Sequence, residues 1–179
     1  VDWQTARDRE TFEQSIAGLS HEVAGVFDVS GRRLFAKPGD TDQVGFTRSE
    51  MARLPGTVLV HNHPNGSSLS YQDAVFAEVH RLAEIVAVVR FEKRLVRFSL
   101  SPERVPGLPA GIWPPFADLS LFFLPILEDI RLKWLSAGRN GSVSRESAEH
   151  QFMHEFWSGQ LRTVVQRYGL SYRYSREEL

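Results

Sequence analysis

Two histidines separated by one residue, His61 and His63, and an aspartate at position 73 are the side chains of this sequence best placed to do chemistry. The histidines end the stretch TVLVHNHP (57–64), an apolar, β-branched run that reads as a buried strand. On a strand, residues i and i+2 project to the same side, so both imidazoles can face one point. Asp73 is the third residue after Ser70, which reads as the N-cap of the next helix, so its carboxylate falls in the first turn. The short loop from Pro64 to Leu69 can fold that turn back towards the strand end. Two neutral imidazoles and one carboxylate make a three-ligand zinc set with the fourth position open to water, the catalytic rather than the structural arrangement. The metal brings the pKa of such a water to about 7, and a further carboxylate is still needed to take and return a proton.

Each residue also has a plainer reading. His61 and His63 can be strand-end histidines bonded to loop carbonyls. Ser70 and Asp73 fit a capping box, a role compatible with holding the aspartate in place for a metal. His21, if its segment is a strand, points away from its neighbour Glu22 and is assigned no role, and His80 reads as a surface or packing residue. His150 and His154 are four apart on a helix, a spacing that can bind metal, but position 151 is Gln and the zincin base is missing. They read as part of a solvated helix face. Phe152, Phe156 and Trp157 read as packing residues, and Arg131, Lys133 and Arg139 suit a helix C-terminus without any nucleic acid.

The elements that must position these groups follow from pattern. Residues 5–18 have the spacing of a short helix ended by Gly18. Two strands flank the turn Ser30-Gly31. Thr47 and Glu50 form a capping-box pattern for one or two helical turns. After Ser70, Tyr71, Val75, Val79 and Leu82 give a helix one apolar face, and Ile85–Phe91 and Leu95–Leu100 read as two more strands around Glu92-Lys93-Arg94. Residues 101–115 hold five of the nine prolines and can be neither regular helix nor central strand. Beyond them, 118–137 and about 144–168 are helical by periodicity, divided by the turn GRNGS. The expected organisation is a core over 1–100, a proline-rich connector over 101–117 and a helical C-terminal extension over 118–179. The aromatic residues of that extension, from Trp134 through Trp157 and Tyr168 to Tyr172 and Tyr174, can cover one face of the core or form a partner surface.

Composition narrows the function classes. A chain of 179 residues, 42% hydrophobic and 24% charged, lies in the ordinary globular range. Its 21 Lys and Arg nearly balance 22 Asp and Glu, so overall charge points to neither nucleic acid nor an anionic membrane. The absence of cysteine excludes disulfides, thiolate zinc sites and thiol nucleophiles. Apolar stretches such as Leu119–Leu127 are too short to span a bilayer. No secretory pattern opens the chain, which fits a cytoplasmic setting, and Val1 without an initiator Met suggests an excised or processed piece.

The combination of HxHP at His61–Pro64, SxxD at Ser70–Asp73 and an upstream Glu22-Val23-Ala24-Gly25-Val26-Phe27 resembles the motif of the JAMM (MPN+) zinc metalloproteases. The resemblance covers roughly residues 15–100. It implies that His61, His63 and Asp73 bind zinc, that Glu22 is the general acid/base, and that the Ser70 hydroxyl helps hold the oxyanion of the tetrahedral intermediate. The six residues 64–69 make the loop one shorter than is usual in the family. Asn62 and the Pro-Asn-Gly after the second histidine look more like bacterial and phage members, including RadC-like proteins, than eukaryotic deubiquitinases.

By resemblance the fold is α/β (α+β): a mixed, curved sheet flanked by helices around a cytidine-deaminase-like JAMM core, with the C-terminal helices as a subdomain. The implied activity is hydrolysis of an isopeptide or peptide bond at the C-terminus of ubiquitin or a ubiquitin-like protein, whose extended tail would lie beside the sheet. Two alternatives stand beside it: a bacterial or phage processing or toxin-associated peptidase with another substrate, and a RadC-like domain that keeps metal but acts in binding or assembly. An intact Glu22 with all three ligands favours an enzyme.

Overall fold

The computed structural model describes residues 2–103, 112–160 and 169–178. Its centre is a six-stranded mixed sheet flanked by helices. In chain order the elements are α1 (Arg9–Ile16), β1 (Val23–Phe27), β2 (Arg33–Pro38), α2 (Arg48–Met51), β3 (Val58–Asn62), α3 (Tyr71–Val79), β4 (Glu84–Phe91) and β5 (Arg94–Pro102). Then come α4 (Phe116–Arg139), α5 (Arg145–Glu155), a π-helical turn (Phe156–Gln160) and β6 (Leu170–Glu178). The spatial order is β2-β1-β3-β4-β5-β6. Only β3 and β4 run parallel among these pairs, as they must when a helix, α3, carries the chain from one to the other.

Alternation along the strands sorts the core into two layers. Val58 and Val60 of β3, with Val86 and Val88 of β4, face α1 and enclose Phe12 and Ile16. Leu59 of β3, Ala24 and Val26 of β1, and Ile85, Ala87 and Val89 of β4 face the opposite way, towards α3, α4 and α5. His61 and Glu22, each two residues from a member of this second set, belong to the same side of the sheet. Gly25 is where α1 approaches β1 most closely: a Cβ there would stand 2.5 Å from the Phe12 ring. That contact is a packing reason for the glycine of the Glu-x-x-Gly element.

The helical extension departs from expectation at its end. The last described segment, 170–178, is not helical but a strand, paired in register with β5 from Pro102↔Leu170 to Arg94↔Glu178. Its sequence, SYRYS, alternates polar and aromatic residues, the strand period. Tyr172 and Tyr174 pack with Leu170 against the larger core cluster, which also contains Phe116, Phe123, Phe156 and Trp157. The aromatic residues of the extension thus cover the sheet. Residues 104–111 of the expected connector, and Tyr168, lie outside the described residues. No helix among the described residues is long and apolar enough to cross a membrane.

Candidate metal centre

The site begins at the end of β3. His61 is its penultimate residue, and His63 continues beside β4 by donating its backbone N–H to the Val88 carbonyl (3.1 Å). Both are buried, at 5% and 8% exposure. Asp73 arrives from the first turn of α3. Ser70 caps that helix by accepting from the Asp73 N–H (3.1 Å), while Asp73 Oδ2 accepts from both the backbone N–H (2.6 Å) and the hydroxyl (2.7 Å) of Ser70. The loop between them closes on a turn at Gly66, whose φ of +79° favours glycine. Asn65 secures the turn by accepting from the Ser67 backbone and hydroxyl.

These constraints bring two imidazole nitrogens and one carboxylate together. His61 Nε2 and His63 Nε2 are 2.9 Å apart, His61 Nε2 lies 3.2 Å from Asp73 Oδ1, and His63 Nε2 lies 3.5 Å from Asp73 Oδ2. Donors about 2.0–2.1 Å from one tetrahedral zinc stand roughly 3.3 Å from each other, so the spacing suits such an ion. The chemistry of the donors agrees. His63 Nδ1 faces the Ser67 and Ser68 carbonyls at 3.1 Å and can only donate to them, leaving the Nε2 lone pair for a metal. Asp73 Oδ2 accepts from Ser70, while Oδ1 faces His61 Nε2 and has no bond from Ser70. His61 Nδ1 is buried without a hydrogen bond. Among the described residues, these three form the one group able to hold a metal ion.

The electrostatics follow from the packing. Burial works against ionising Asp73, but His61, His63 and the Ser70 hydroxyl hold its carboxyl well below the usual range. Burial also disfavours charge on His61, yet Asp73 and Glu22 raise its pKa, whereas burial and the neighbouring His61 lower that of His63. Without metal, a proton on His61 Nε2 donated to His63 Nε2 reconciles these directions with the 2.9 Å contact.

Glu22 immediately precedes β1 and is 8% exposed. Burial raises its pKa; His61 opposes the shift, and Asp73 and Asp42 reinforce it. Its backbone is held on both sides: Glu22 N–H donates to Asp40 O (2.7 Å) and Gly39 N–H donates to Glu22 O (2.8 Å). From the strand beside it, fully buried Asn62 accepts from the Val23 N–H (2.7 Å) and donates to the His21 carbonyl (2.9 Å). The residue between the two histidines thus clamps the chain on either side of Glu22. In the sequence Asn62 marks only a resemblance, and the one sign of its clamping role is a polar side chain inside a buried strand.

Glu22, His61, His63, Ser70 and Asp73 all line one cleft of about 450 Å³. Its opposite wall comes from the segment between β2 and α2, including Asp42, Val44 and Phe46, with Gln72 and Phe76 from α3. Sequence spacing carries no sign of this wall, because no local pattern tells where that segment folds. His80 ends α3 and packs on Phe76, and His21 contributes its backbone carbonyl. His150 is not on a solvated face as expected. It is fully buried, stacked on Phe91 with ring centroids 4.3 Å apart, and its Nδ1 donates to the Gly66 carbonyl at 3.2 Å. Comparison with models of protein families, with characterised proteins and with solved structures returned no match.

Proposed function

We propose that this protein is a zinc-dependent peptidase of the JAMM type, built on a cytidine-deaminase-like core, that hydrolyses an isopeptide or peptide bond at the C-terminus of ubiquitin or a ubiquitin-like protein. The observation that carries the reading is the convergence of His61 Nε2, His63 Nε2 and the Asp73 carboxylate in the cleft that Glu22 also lines. Zinc held by His61, His63 and Asp73 would supply Lewis acidity, acidifying a water and polarising the scissile carbonyl. Glu22 takes a proton from the attacking water onto its carboxylate and delivers it to the leaving amine nitrogen. A raised pKa suits a group that must both accept and return a proton near neutrality. Ser70 orients Asp73, and its hydroxyl serves the oxyanion once it exchanges Asp73 Oδ2 for the substrate oxygen. The ubiquitin-like substrate rests on the motif resemblance; the open cleft offers an extended tail room to reach the ligands.

The test is metal analysis of the wild-type and His63→Ala proteins, with cleavage of ubiquitin chains measured with and without chelator. About one zinc per wild-type chain, its loss in the variant, and cleavage abolished by chelator are the expected results. Zinc without cleavage would move the substrate away from ubiquitin, and a metal-free wild type would overturn the reading.

A further inference from the structure

The loop from Pro64 to Leu69 joins the last histidine of the site to the helix that carries Asp73. Three side chains from beyond residue 145 hold it. Trp157 donates its indole N–H to the Leu69 carbonyl at 2.6 Å, and His150 Nδ1 donates to the Gly66 carbonyl. The Tyr172 hydroxyl lies 3.2 Å from Ser68 Oγ and 2.8 Å from His154 Nδ1, so His154 helps orient it. Trp157 and His150 are fully buried, as is Ser68. The same loop presents the Ser67 and Ser68 carbonyls to His63 Nδ1. Hydrogen bonds from α5, the π-helical turn and β6 therefore tie down the loop at Gly66, Ser68 and Leu69, and the backbone between those points carries the two carbonyls that meet His63.

We infer that the C-terminal extension is a positioning part of the metal centre: Trp157, Tyr172 and His150 fix the 64–69 loop so that its carbonyls hold His63 in the tautomer and orientation that bind metal. The inference rests on the metal-site reading proposed above. None of the three residues belongs to the ligand group. They act through the loop backbone on the Ser67 and Ser68 carbonyls that His63 donates to, and loss of such partners of a ligand typically costs ~10–100-fold in metal affinity. A purely structural role for the extension would alter thermal stability and leave the His63 imidazole as it is.

The experiment compares the wild-type chain with Tyr172→Phe and Trp157→Phe. In the metal-free proteins, long-range ¹H–¹⁵N NMR reads the His63 tautomer; the wild type should show the Nδ1–H form and the variants a mixture. Competition of zinc ion against a chromophoric chelator should then show ~10-fold or greater weakening in each variant. Tyr172→Phe removes a single oxygen atom and decides the matter alone if Trp157→Phe does not fold. An unchanged tautomer with zinc affinity within about twofold of wild type would overturn the inference. A wild type that takes up no zinc would instead remove the peptidase reading, and the tautomer would still decide whether the extension orients His63.

Discussion

Asn62 and Glu22 show how a residue's type can be read from sequence while its reason for being there cannot. Glu22 is recognisable as a carboxylate three residues before a glycine on a strand. Its direction in space depends on a clamp by a side chain forty residues away and on the Phe12 contact that requires Gly25. His61, His63 and Asp73 were legible because strand and helix periods fix their local directions. Glu22→Gln is expected to retain zinc while lowering kcat by ~10²–10⁴-fold, read by metal analysis and single-turnover kinetics; full activity would remove Glu22 from the chemistry. Ser70→Ala removes both the cap and the hydroxyl on Asp73. Urea unfolding should show a loss of about 1 kcal/mol, with the rate reduced ~10²-fold. A stability loss with a normal rate would leave Ser70 with capping alone.

At the scale of elements, the first five strands followed from apolar, β-branched runs between turns, and the two capping boxes from Thr47 and Ser70 three residues ahead of a carboxylate. β6 did not. The helical periodicity read as far as about residue 168, and a short, arginine-rich alternation after it, disguised a strand whose stability comes from pairing with β5 rather than from its own propensity. The burial of His150 was hidden for the same reason, since a histidine on a helix declares its surroundings only once the partner strand is in place. That burial has a measurable consequence. Burial depresses the His150 pKa from 6.5 to about 4, with the Gly66 carbonyl opposing the shift and Arg176 and His154 adding to it. The unfolded chain binds a proton in this window and the native state does not, so stability is full above the unfolded value and falls as pH drops from about 6.5 to about 4. The loss amounts to at most about 3 kcal/mol. Urea unfolding of wild type and His150→Gln across that range tests it: the variant should show a shallower slope, and equal slopes would mean that His150 does not titrate on unfolding.

For the whole molecule, the larger core cluster is shared between the strands and the helices that follow them. Phe116, Phe123, Phe156 and Trp157 pack in the same cluster as Leu59, Ala87 and Phe98. A fragment ending at Pro102 would keep α3 on that face of the sheet but lose α4, α5 and β6, so it should lack cooperative urea unfolding and should bind a dye for exposed apolar surface. A cooperative, dye-silent fragment would show that the first hundred residues fold alone. The layout was legible in the sequence as far as each element carries its own period; the packing of late helices onto early strands was not, because it is decided between segments distant in the chain. The placement of β6 also sets an order of events during synthesis. Made after every other described element, it emerges from the ribosome last, at ~5–20 residues per second. A growing chain therefore passes several seconds with both histidines and Asp73 translated but Tyr172 still to come, and the maturing site waits on the slowest class of contact, a strand pairing distant in sequence.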